Sequence, residues 1–313
     1  MDKLESIIRE FMPDGSIFIN EPMKKHTTFR IGGPADILVK PSDIEQIKKL
    51  CGECQKQNAP YVILGNGSNV LVADEGIRGV VILLLDNYAR IRVEGDIITA
   101  QAGARLSKIG SAALSKSLSG FEFACGIPGT LGGACIMNAG AYGGEMKDIL
   151  LSVTAMDKDG NIRKYEPHEM GLGYRSSRFA KEGLIVLEAE IQLRKGNQGE
   201  IEASMKDLAA RRRQKQPLEY PSAGSTFKRP EGYFAGKLIM DAGLRGFTVG
   251  GASVSEKHCG FVVNNGDATA ADVCRLMHEV SDTVKAKFGV ELEPEVKILG
   301  CLLYTSPSPR DRQ

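Results

Sequence analysis

The sequence has no tryptophan and only 6% aromatic residues, so a stacking platform for single-stranded nucleic acid is not expected. Neither charge is in excess, because 40 Lys and Arg residues balance 39 Asp and Glu residues. A protein that coats nucleic acid or an anionic membrane needs a basic excess, so neither partner is expected. At roughly 100 to 200 residues per domain, the 313 residues predict two or three soluble domains.

No hydrophobic run is long enough to cross a bilayer. The longest run, residues 80–85, falls far short of the roughly 20 residues that a membrane-spanning helix needs, and it predicts a buried strand instead. Residues 1–5 include acidic side chains where a secretory leader needs a basic patch and an apolar stretch. We therefore expect a cytoplasmic protein.

Disulfides and metal ligands are also not indicated. Seven cysteines are an odd number in a long chain, which does not suggest a disulfide framework. Cys51 and Cys54 form a CxxC motif, but they continue an apolar pattern of helical spacing, and no second pair lies at zinc-ligand spacing. A structural role in a helix is favoured over a redox or metal role. The four histidines form no metal-spaced pair, and no metal is expected.

The first part of the chain alternates strand and helix patterns. A strand is predicted over residues 35–40, and a capping box at Ser42 opens a helix that runs to about Gln57. A second strand is predicted over residues 61–64. This β-α-β order, together with a short N-terminal helix, predicts a first domain of residues 1–85.

Two further domains are predicted after it. Short strands around one helix make residues 86–198 a second α+β unit, and the glycine-containing stretch 195–199 is the predicted linker at its end. An amphipathic pattern over residues 273–288 predicts a long helix in a third unit, residues 199–300. Residues 301–313 contain no pattern that can pack regularly, and they are predicted to be a disordered or spurious tail.

A glycine loop follows the strand at residues 61–64. It begins like a dinucleotide-binding GxGxxG motif, but Val70 replaces the third glycine, so the Rossmann fingerprint fails. Consecutive backbone N–H groups in such a loop can still form an anion-binding nest, with an ordinary tight turn as the alternative. The candidate binding residues of this first loop are Gly65, Asn66, Gly67, Ser68 and Asn69.

A second glycine loop spans residues 126–144 and contains seven glycines. Each glycine placed in regular structure costs about 0.5 to 1 kcal/mol, which a chain tolerates where the backbone must approach a ligand closely. Two such loops suit a pyrophosphate with groups on both sides, as in a dinucleotide, although a purely structural role is the alternative. The candidate cofactor-binding residues here are Gly126, Ile127, Pro128, Gly129, Thr130, Gly133, Asn138 and Gly140.

Several blocks of the sequence resemble the UDP-N-acetylenolpyruvoylglucosamine reductase family, the flavoenzymes of bacterial peptidoglycan precursor synthesis. The blocks are collinear between about His26 and Gly300, and the chain most resembles the shorter, second type of the family. They cover residues 30–36, 65–71, 126–145, 173–179, 221–230 and 293–296.

The resemblance implies a fold and two cofactors. The implied fold is α+β, with a two-part FAD-binding region of the vanillyl-alcohol-oxidase (PCMH-like) type followed by a smaller α/β substrate domain. FAD would be noncovalent, because Asn66, Ser68 and Asn69 stand where covalent relatives carry a flavin-linking histidine. NADPH would supply hydride and leave before UDP-N-acetylenolpyruvoylglucosamine binds. The family further implies a role in cell-wall biogenesis, cell shape and cell division. We also expect a monomer or a weak homo-oligomer in the cytoplasm.

The resemblance also assigns three catalytic residues. Arg175 matches the enolate-stabilising arginine, Ser225 the proton donor and Glu295 the catalytic glutamate. Each has an ordinary alternative on sequence alone: a solvated turn for Arg175, a loop serine for Ser225, and an exposed strand face for Glu295. Lys228 is a candidate helper for the serine.

Basic residues near residue 212 meet the UDP diphosphate in the family, whereas cations at a helix C-terminus can also simply complement its dipole. The candidate substrate-binding residues are Tyr142, Tyr174, Arg212, Lys215 and Lys228. Two other functions are alternatives to the reductase. One is an FAD-dependent sugar or alcohol oxidase of the same fold, and the other is a non-catalytic UDP-sugar-binding protein.

Overall fold

The computed structural model describes residues 1–300, so the predicted tail at 301–313 lies outside the described residues. The helices of this part are α1 Asp2–Arg9, α2 Ile44–Lys56, α3 Leu106–Ser115, α4 Leu131–Met137, α5 Arg178–Glu182, α6 Gln198–Lys215, α7 Ala235–Asp241 and α8 Ala270–Phe288. The first strands are β1 Ile17–Pro22, β2 Pro34–Val39, β3 Tyr61–Leu64, β4 Val70–Val72, β5 Ile77–Leu83, β6 Ile91–Glu94, β7 Ile97–Gln101, β8 Leu118–Ser119, β9 Gly140–Ala141 and β10 Gly144–Glu145. The later strands are β11 Leu150–Met156, β12 Ile162–Tyr165, β13 Ile185–Gln192, β14 Arg194–Lys195, β15 Ser222–Ser225, β16 Thr248–Val249, β17 Ala252–Val254, β18 Phe261–Asn264 and β19 Lys297–Leu299.

Internal contacts divide the chain into two compact units rather than along the predicted boundaries at residues 85 and 198. The first unit comprises residues 1–19, 37–66 and 79–214. The second comprises residues 20–36, 67–78 and 215–300 of the described chain. The chain therefore enters the second unit three times, an arrangement that a division into consecutive segments does not describe.

The predicted linker, residues 195–199, is part of ordered structure instead. The Gly196 N–H donates to the Ser117 carbonyl at 2.9 Å. The Asn197 side-chain oxygen accepts the N–H groups of Gly199 and Glu200 at 2.9 and 3.2 Å. Because an Asn oxygen satisfies free N–H groups at a helix start, this stretch begins α6, which stays with the first unit as far as residue 214.

The first unit is built around a five-stranded sheet of order β12-β11-β13-β7-β6, whose neighbouring strands are all antiparallel. A four-stranded sheet has the order β1-β2-β5-β3, and β3 pairs with β5 in parallel. The predicted strand at 61–64 has the same bounds in the structure, and α2 ends one residue before the predicted Gln57. One hydrophobic core fills this unit, and Tyr88, Phe121 and Phe179 are among its fully buried side chains.

The second unit has its own core and a four-stranded sheet of order β15-β18-β17-β16. Helix α8, predicted from its apolar spacing, buries Val273, Leu276 and Val280 in this core. A Thr269–Asp272 capping box begins the helix. The Asp74 carboxylate also accepts the first N–H groups of α8, those of residues 270 and 271, at 2.8 and 3.0 Å. These hydrogen bonds attach the segment that contains β4 to the start of α8.

The two cysteines of the CxxC motif face inward from α2. Both thiols are buried, and burial raises the pKa of Cys51 to about 11 and that of Cys54 to about 12. Since the thiolate is the reactive and metal-binding form, this environment favours the structural interpretation of the motif. Along residues 1–300, no helix is long and apolar enough to span a membrane.

Candidate active site

The first glycine loop starts where β3 ends, and its first two residues contact the second loop within the first unit. A Cβ atom at Gly65 would lie 2.3 Å from the Thr130 hydroxyl oxygen. The Asn66 side-chain amide donates to the Pro128 carbonyl at 2.7 Å, and its oxygen accepts from the Arg105 guanidinium at 3.3 Å. The two predicted loops are therefore close neighbours, and no side chain larger than hydrogen fits at position 65.

The remaining residues of the first loop belong to the second unit. Gly67 has φ +60°, and a Cβ there would lie 2.1 Å from the His26 carbonyl oxygen, so this position requires glycine. Ser68 is half-buried. The Asn69 side chain donates to the Glu295 carbonyl at 3.3 Å. Because β4 follows directly and pairs in parallel with β19, this end of the loop is held beside Glu295.

The second loop leads into α4 through residues 126–130. The Gly129 N–H donates to the Ile127 carbonyl at 2.8 Å, and the Gly129 carbonyl accepts the Leu106 N–H at 3.1 Å. Pro128 is exposed, whereas Thr130 is buried. The loop is thus fixed on its inner side by α3 and exposed on its outer side.

Two adjacent glycines of α4 have different surroundings. A Cβ at Gly132 would lie 2.9 Å from the Ala102 Cβ, so that glycine allows close packing. Gly133 is exposed, and the nearest atom to its Cβ position is the Thr130 hydroxyl at 3.8 Å. The open backbone at Gly133 is where a ligand can approach this helix.

Arg212, in the last part of α6, lies against the second loop. Its Cδ is 3.4 Å from the position of a Cβ at Gly126. Burial lowers the pKa of the Arg212 guanidinium, and the Tyr142 phenol acts in the opposite direction. A guanidinium stays protonated despite such a shift, so a partly desolvated positive charge stands beside the glycine loop. Lys215 ends α6 as an exposed residue of the second unit.

Arg175 stands at the tip of a tight turn in the first unit. Gly173 and Ser176 exchange backbone hydrogen bonds of 3.0 and 3.2 Å, which closes the turn around Tyr174 and Arg175. Arg175 has φ +50°, and its guanidinium carbon lies 5.4 Å from the centre of the exposed Tyr174 ring. A positive φ in a non-glycine residue is a strained arrangement that often accompanies function.

Two predicted cofactor-binding residues, Asn138 and Gly140, lie beside Glu145. The Asn138 side chain is only 1% exposed, and its amide and carbonyl are hydrogen-bonded within the protein. A Cβ at Gly140 would lie 2.8 Å from Glu145 Cγ. Asn138 is therefore buried as a whole residue, and its side chain is engaged with the protein rather than open to a ligand.

Ser225 and Glu295 lie on neighbouring segments of the second unit. Ser225 is the last residue of β15 and lies opposite Phe261 of β18. The next residue, Thr226, accepts the Glu295 N–H at 2.8 Å through its carbonyl oxygen. Glu295 is 7% exposed, unlike the exposed strand face that sequence alone allowed. A buried carboxylate beside a serine-bearing strand is an arrangement typical of functional sites.

Lys228 continues the same segment. Its N–H donates to the Glu293 carbonyl at 2.8 Å, and its ammonium forms an ion pair with the Glu293 carboxylate. The predicted helper of Ser225 is therefore engaged with a carboxylate two residues before Glu295.

Two charged residues of the site were not predicted from the sequence. Arg105 contacts Asn66 across 39 residues of chain, and no local pattern indicates such a pairing. Glu145 is paired with Lys147 and hydrogen-bonded by Asn138. Glu145 is the last residue of the matching block 126–145. A carboxylate in this glycine-rich stretch was the sequence feature that could have indicated a role for it.

The first unit fits a group that carries a diphosphate. Its loop residues leave backbone accessible at Gly133, and the guanidinium groups of Arg105 and Arg212 contact the first and second loops, respectively. Backbone N–H groups in glycine turns and guanidinium groups are the donors that bind phosphate oxygens most effectively. These residues fit the diphosphate of FAD.

Family models match most of the chain. Residues 35–166 match the FAD binding domain, and residues 216–299 match the C-terminal domain of UDP-N-acetylenolpyruvoylglucosamine reductase. A glucose oxidase variant of Phl p 4, at 13% identity and a TM-score of 0.50 over 62% of this chain and 44% of that one, shares the fold. The fold and site thus define an FAD-dependent oxidoreductase of α+β class with a vanillyl-alcohol-oxidase-type FAD-binding region, as predicted.

Relatives identify the family. The reductase of Clostridioides difficile strain 630 is 58% identical over 91% of this chain and 93% of its own. The reductase of Syntrophomonas wolfei is 53% identical over 94% of this chain and 99% of its own. The crystal structure of the Thermus caldophilus reductase superposes with a TM-score of 0.78 at 37% identity, over 91% of this chain and 98% of that one. This chain belongs to the UDP-N-acetylenolpyruvoylglucosamine reductase family.

The Gly65→Ala variant is expected to bind FAD about 5- to 150-fold more weakly. The new methyl group would collide with buried Thr130, and the apoprotein can relieve this collision by moving the loop. FAD binding would then have to restore the overpacked arrangement, which costs about 1 to 3 kcal/mol. Titration of the apoprotein with FAD measures the change. Gly52→Ala is the matched control, because nothing lies within 4 Å of its Cβ position in α2. Equal FAD affinity in both variants would contradict a tight contact between the two loops.

Proposed function

We propose that this chain reduces the enolpyruvyl ether of UDP-N-acetylglucosamine to UDP-N-acetylmuramate, using NADPH and noncovalent FAD. The observation that carries the proposal is the similarity to reductases over 93% and 99% of their own lengths. The proposed setting is the cytoplasm, and the proposed assembly is a monomer or a weak homo-oligomer.

The two glycine loops are the proposed FAD site. Bound FAD supplies the hydride chemistry, in which NADPH is the donor and the outer vinyl carbon of the enol ether is the acceptor. Residues 65–69 and 126–133 would bind the diphosphate through backbone N–H groups, with Arg105 contributing positive charge. Asn138 and Gly140 are proposed to contribute to this site through their contacts with Glu145.

Arg175 is the proposed stabiliser of negative charge on the substrate. When the outer vinyl carbon gains hydride, charge builds at the inner carbon and its carboxylate. A permanently charged, forked guanidinium is matched to a carboxylate, and fixed positive charge at that position lowers the barrier. Tyr174, Tyr142 and Arg212 are proposed to bind the rest of the substrate, together with Lys215 and Lys228.

Ser225 is the proposed proton donor to the inner carbon, and Glu295 is proposed to assist it. A serine hydroxyl is a weak acid, so it needs a neighbouring group that balances its charge as the proton leaves. The burial of the Glu295 carboxylate and the backbone hydrogen bond between Glu295 and Thr226 support a joint role.

An anaerobic experiment tests the function. The purified flavoprotein is reduced with NADPH, UDP-N-acetylglucosamine enolpyruvate is added, and the flavin absorbance is followed. Prompt return of the oxidised spectrum, with UDP-N-acetylmuramate as product, supports the proposal. A flavin that stays reduced until oxygen enters would favour the oxidase alternative, and a protein that binds no flavin would favour the UDP-sugar-binding alternative.

A further inference from the structure

Asn138 occupies an unusual position at the end of α4. It has a left-handed backbone conformation, φ +43° and ψ +57°, and its side chain is 1% exposed. Asparagine is one of the few non-glycine residues that adopt this conformation at a helix C-terminus. Glycine would fit the backbone better, so the side chain itself has a use at this site.

The amide of Asn138 connects three parts of the first unit. Its nitrogen donates to the Glu145 carboxylate at 2.9 Å and to the Gly173 carbonyl at 3.1 Å. Its oxygen accepts the Lys147 N–H at 2.9 Å. A buried amide with donors and acceptor satisfied fixes the groups that it joins, because breaking any of these bonds leaves a buried polar atom without a partner.

The Gly173 carbonyl belongs to the turn that carries Arg175. A second tether lies just after the turn, where the fully buried Ser177 hydroxyl donates to the Ile136 carbonyl at 2.7 Å. Both tethers lead back to the end of α4. The base of the Arg175 turn is therefore fastened to one helix terminus at two points.

Glu145 connects the same amide to the charge of Arg175. The pKa of the Glu145 carboxyl is lowered mainly by its hydrogen bond with Lys147, then by Asn138, the charge of Lys147 and the charge of Arg175. The Lys147 ammonium lies 2.7 Å from the carboxylate. An ionised carboxylate is thus held within electrostatic range of the Arg175 guanidinium.

We infer that Asn138 and Glu145 are positioning residues. The Asn138 amide fixes the turn that presents Arg175 to a carboxylate-bearing substrate, and the Glu145 carboxylate that this amide holds attracts the Arg175 guanidinium. This inference rests on the proposed role of Arg175 and deepens it, because it names the groups that set the direction of that side chain.

The Asn138→Asp variant tests the inference. Aspartate keeps the shape, the tolerance for positive φ and the acceptor for the Lys147 N–H. It replaces the side-chain nitrogen that donates to Glu145 and Gly173 with an oxygen, and this oxygen repels the acceptor oxygens of both residues. We expect the dissociation constant of the oxidised enzyme for UDP-N-acetylglucosamine enolpyruvate, measured by calorimetry, to rise at least about tenfold. Reoxidation of the flavin by this substrate should slow by a similar factor.

Asn58→Asp is the matched control, because Asn58 also has positive φ, +50°, just after a helix, and it is exposed. It should change none of these quantities. If Asn138→Asp does not fold, Glu145→Gln replaces it, since glutamine keeps an acceptor for Asn138 and loses the charge that faces Arg175. The same loss of substrate affinity is then expected.

A double-mutant cycle with Arg175→Gln separates this inference from the proposed function. If Asn138 acts through Arg175, the tenfold effect of Asn138→Asp should fall below about twofold in the Arg175→Gln background. An undiminished effect in that background overturns the positioning role while the role of Arg175 stands. An Arg175→Gln enzyme with unchanged substrate affinity and reoxidation overturns both.

Discussion

Replacing Ser225 with alanine is expected to slow reoxidation of the reduced flavin by the enol ether about 10²- to 10⁴-fold, the usual loss when a positioned proton donor is removed. Flavin reduction by NADPH should keep its wild-type rate, because that half-reaction needs no proton at the inner carbon of the substrate. Anaerobic stopped-flow measurement of flavin absorbance follows the two half-reactions separately.

The control for this variant lies on the same strand. Ser222 is the first residue of β15 and pairs with Val263 in β18, as Ser225 pairs with Phe261. Ser222→Ala removes the same hydroxyl from the same local structure, and it should leave both half-reactions within about twofold of wild type. If Ser225→Ala also retained rapid reoxidation, Ser225 would not be the proton donor.

Local patterns predicted the individual elements of the fold well. Apolar residues at helical spacing predicted helix α8, and a short apolar run between turn residues predicted β3. Such patterns arise because the buried face of an element repeats its apolar residues with the period of that element. The same signal says nothing about which strands pair. The parallel pairing of β4 with β19 joins residues more than 200 positions apart, so the three entries of the chain into the second unit could not be predicted.

The predicted linker shows how a local rule can fail. Residues 195–199 contain two glycines and polar side chains, a composition typical of a flexible connection. Here the same residues include Asn197, whose side chain caps α6, and Gly196, whose N–H bonds to Ser117. Composition describes how freely a segment could move, whereas these specific hydrogen bonds decide whether it does.

The candidate site was predictable as separate segments but not as an arrangement. The resemblance selected Ser225 and Glu295, yet nothing in the sequence shows that Glu295 donates its N–H to the residue after Ser225. Similarly, Asn138 was predicted to contact the cofactor, whereas its side chain bonds to Glu145, Lys147 and Gly173. Side-chain direction depends on tertiary contacts that a glycine-rich motif does not encode.

Replacing Glu295 with glutamine is expected to slow reoxidation by the enol ether about 10²- to 10⁴-fold, with NADPH reduction again unchanged. Glutamine has nearly the same volume, so the backbone contacts of Glu295 with Thr226 and Asn69 should persist. What is lost is the carboxyl group of a residue that is only 7% exposed, where little water weakens its effect on Ser225.

The control is two residues away on the same segment, because Glu293→Gln also removes a carboxylate charge there. Glu293 is exposed and pairs with Lys228, and an ion pair of this kind contributes about 0 to 1 kcal/mol. Its loss should leave reoxidation within about fivefold of wild type. Thermal unfolding of both variants separates catalysis from stability. If Glu295→Gln slows reoxidation while its melting temperature stays at the wild-type value, the buried carboxyl group acts in the reaction. Equal slowing in the two variants would instead mean that the reaction responds to the summed charge of this segment, and a specific role for Glu295 would be lost.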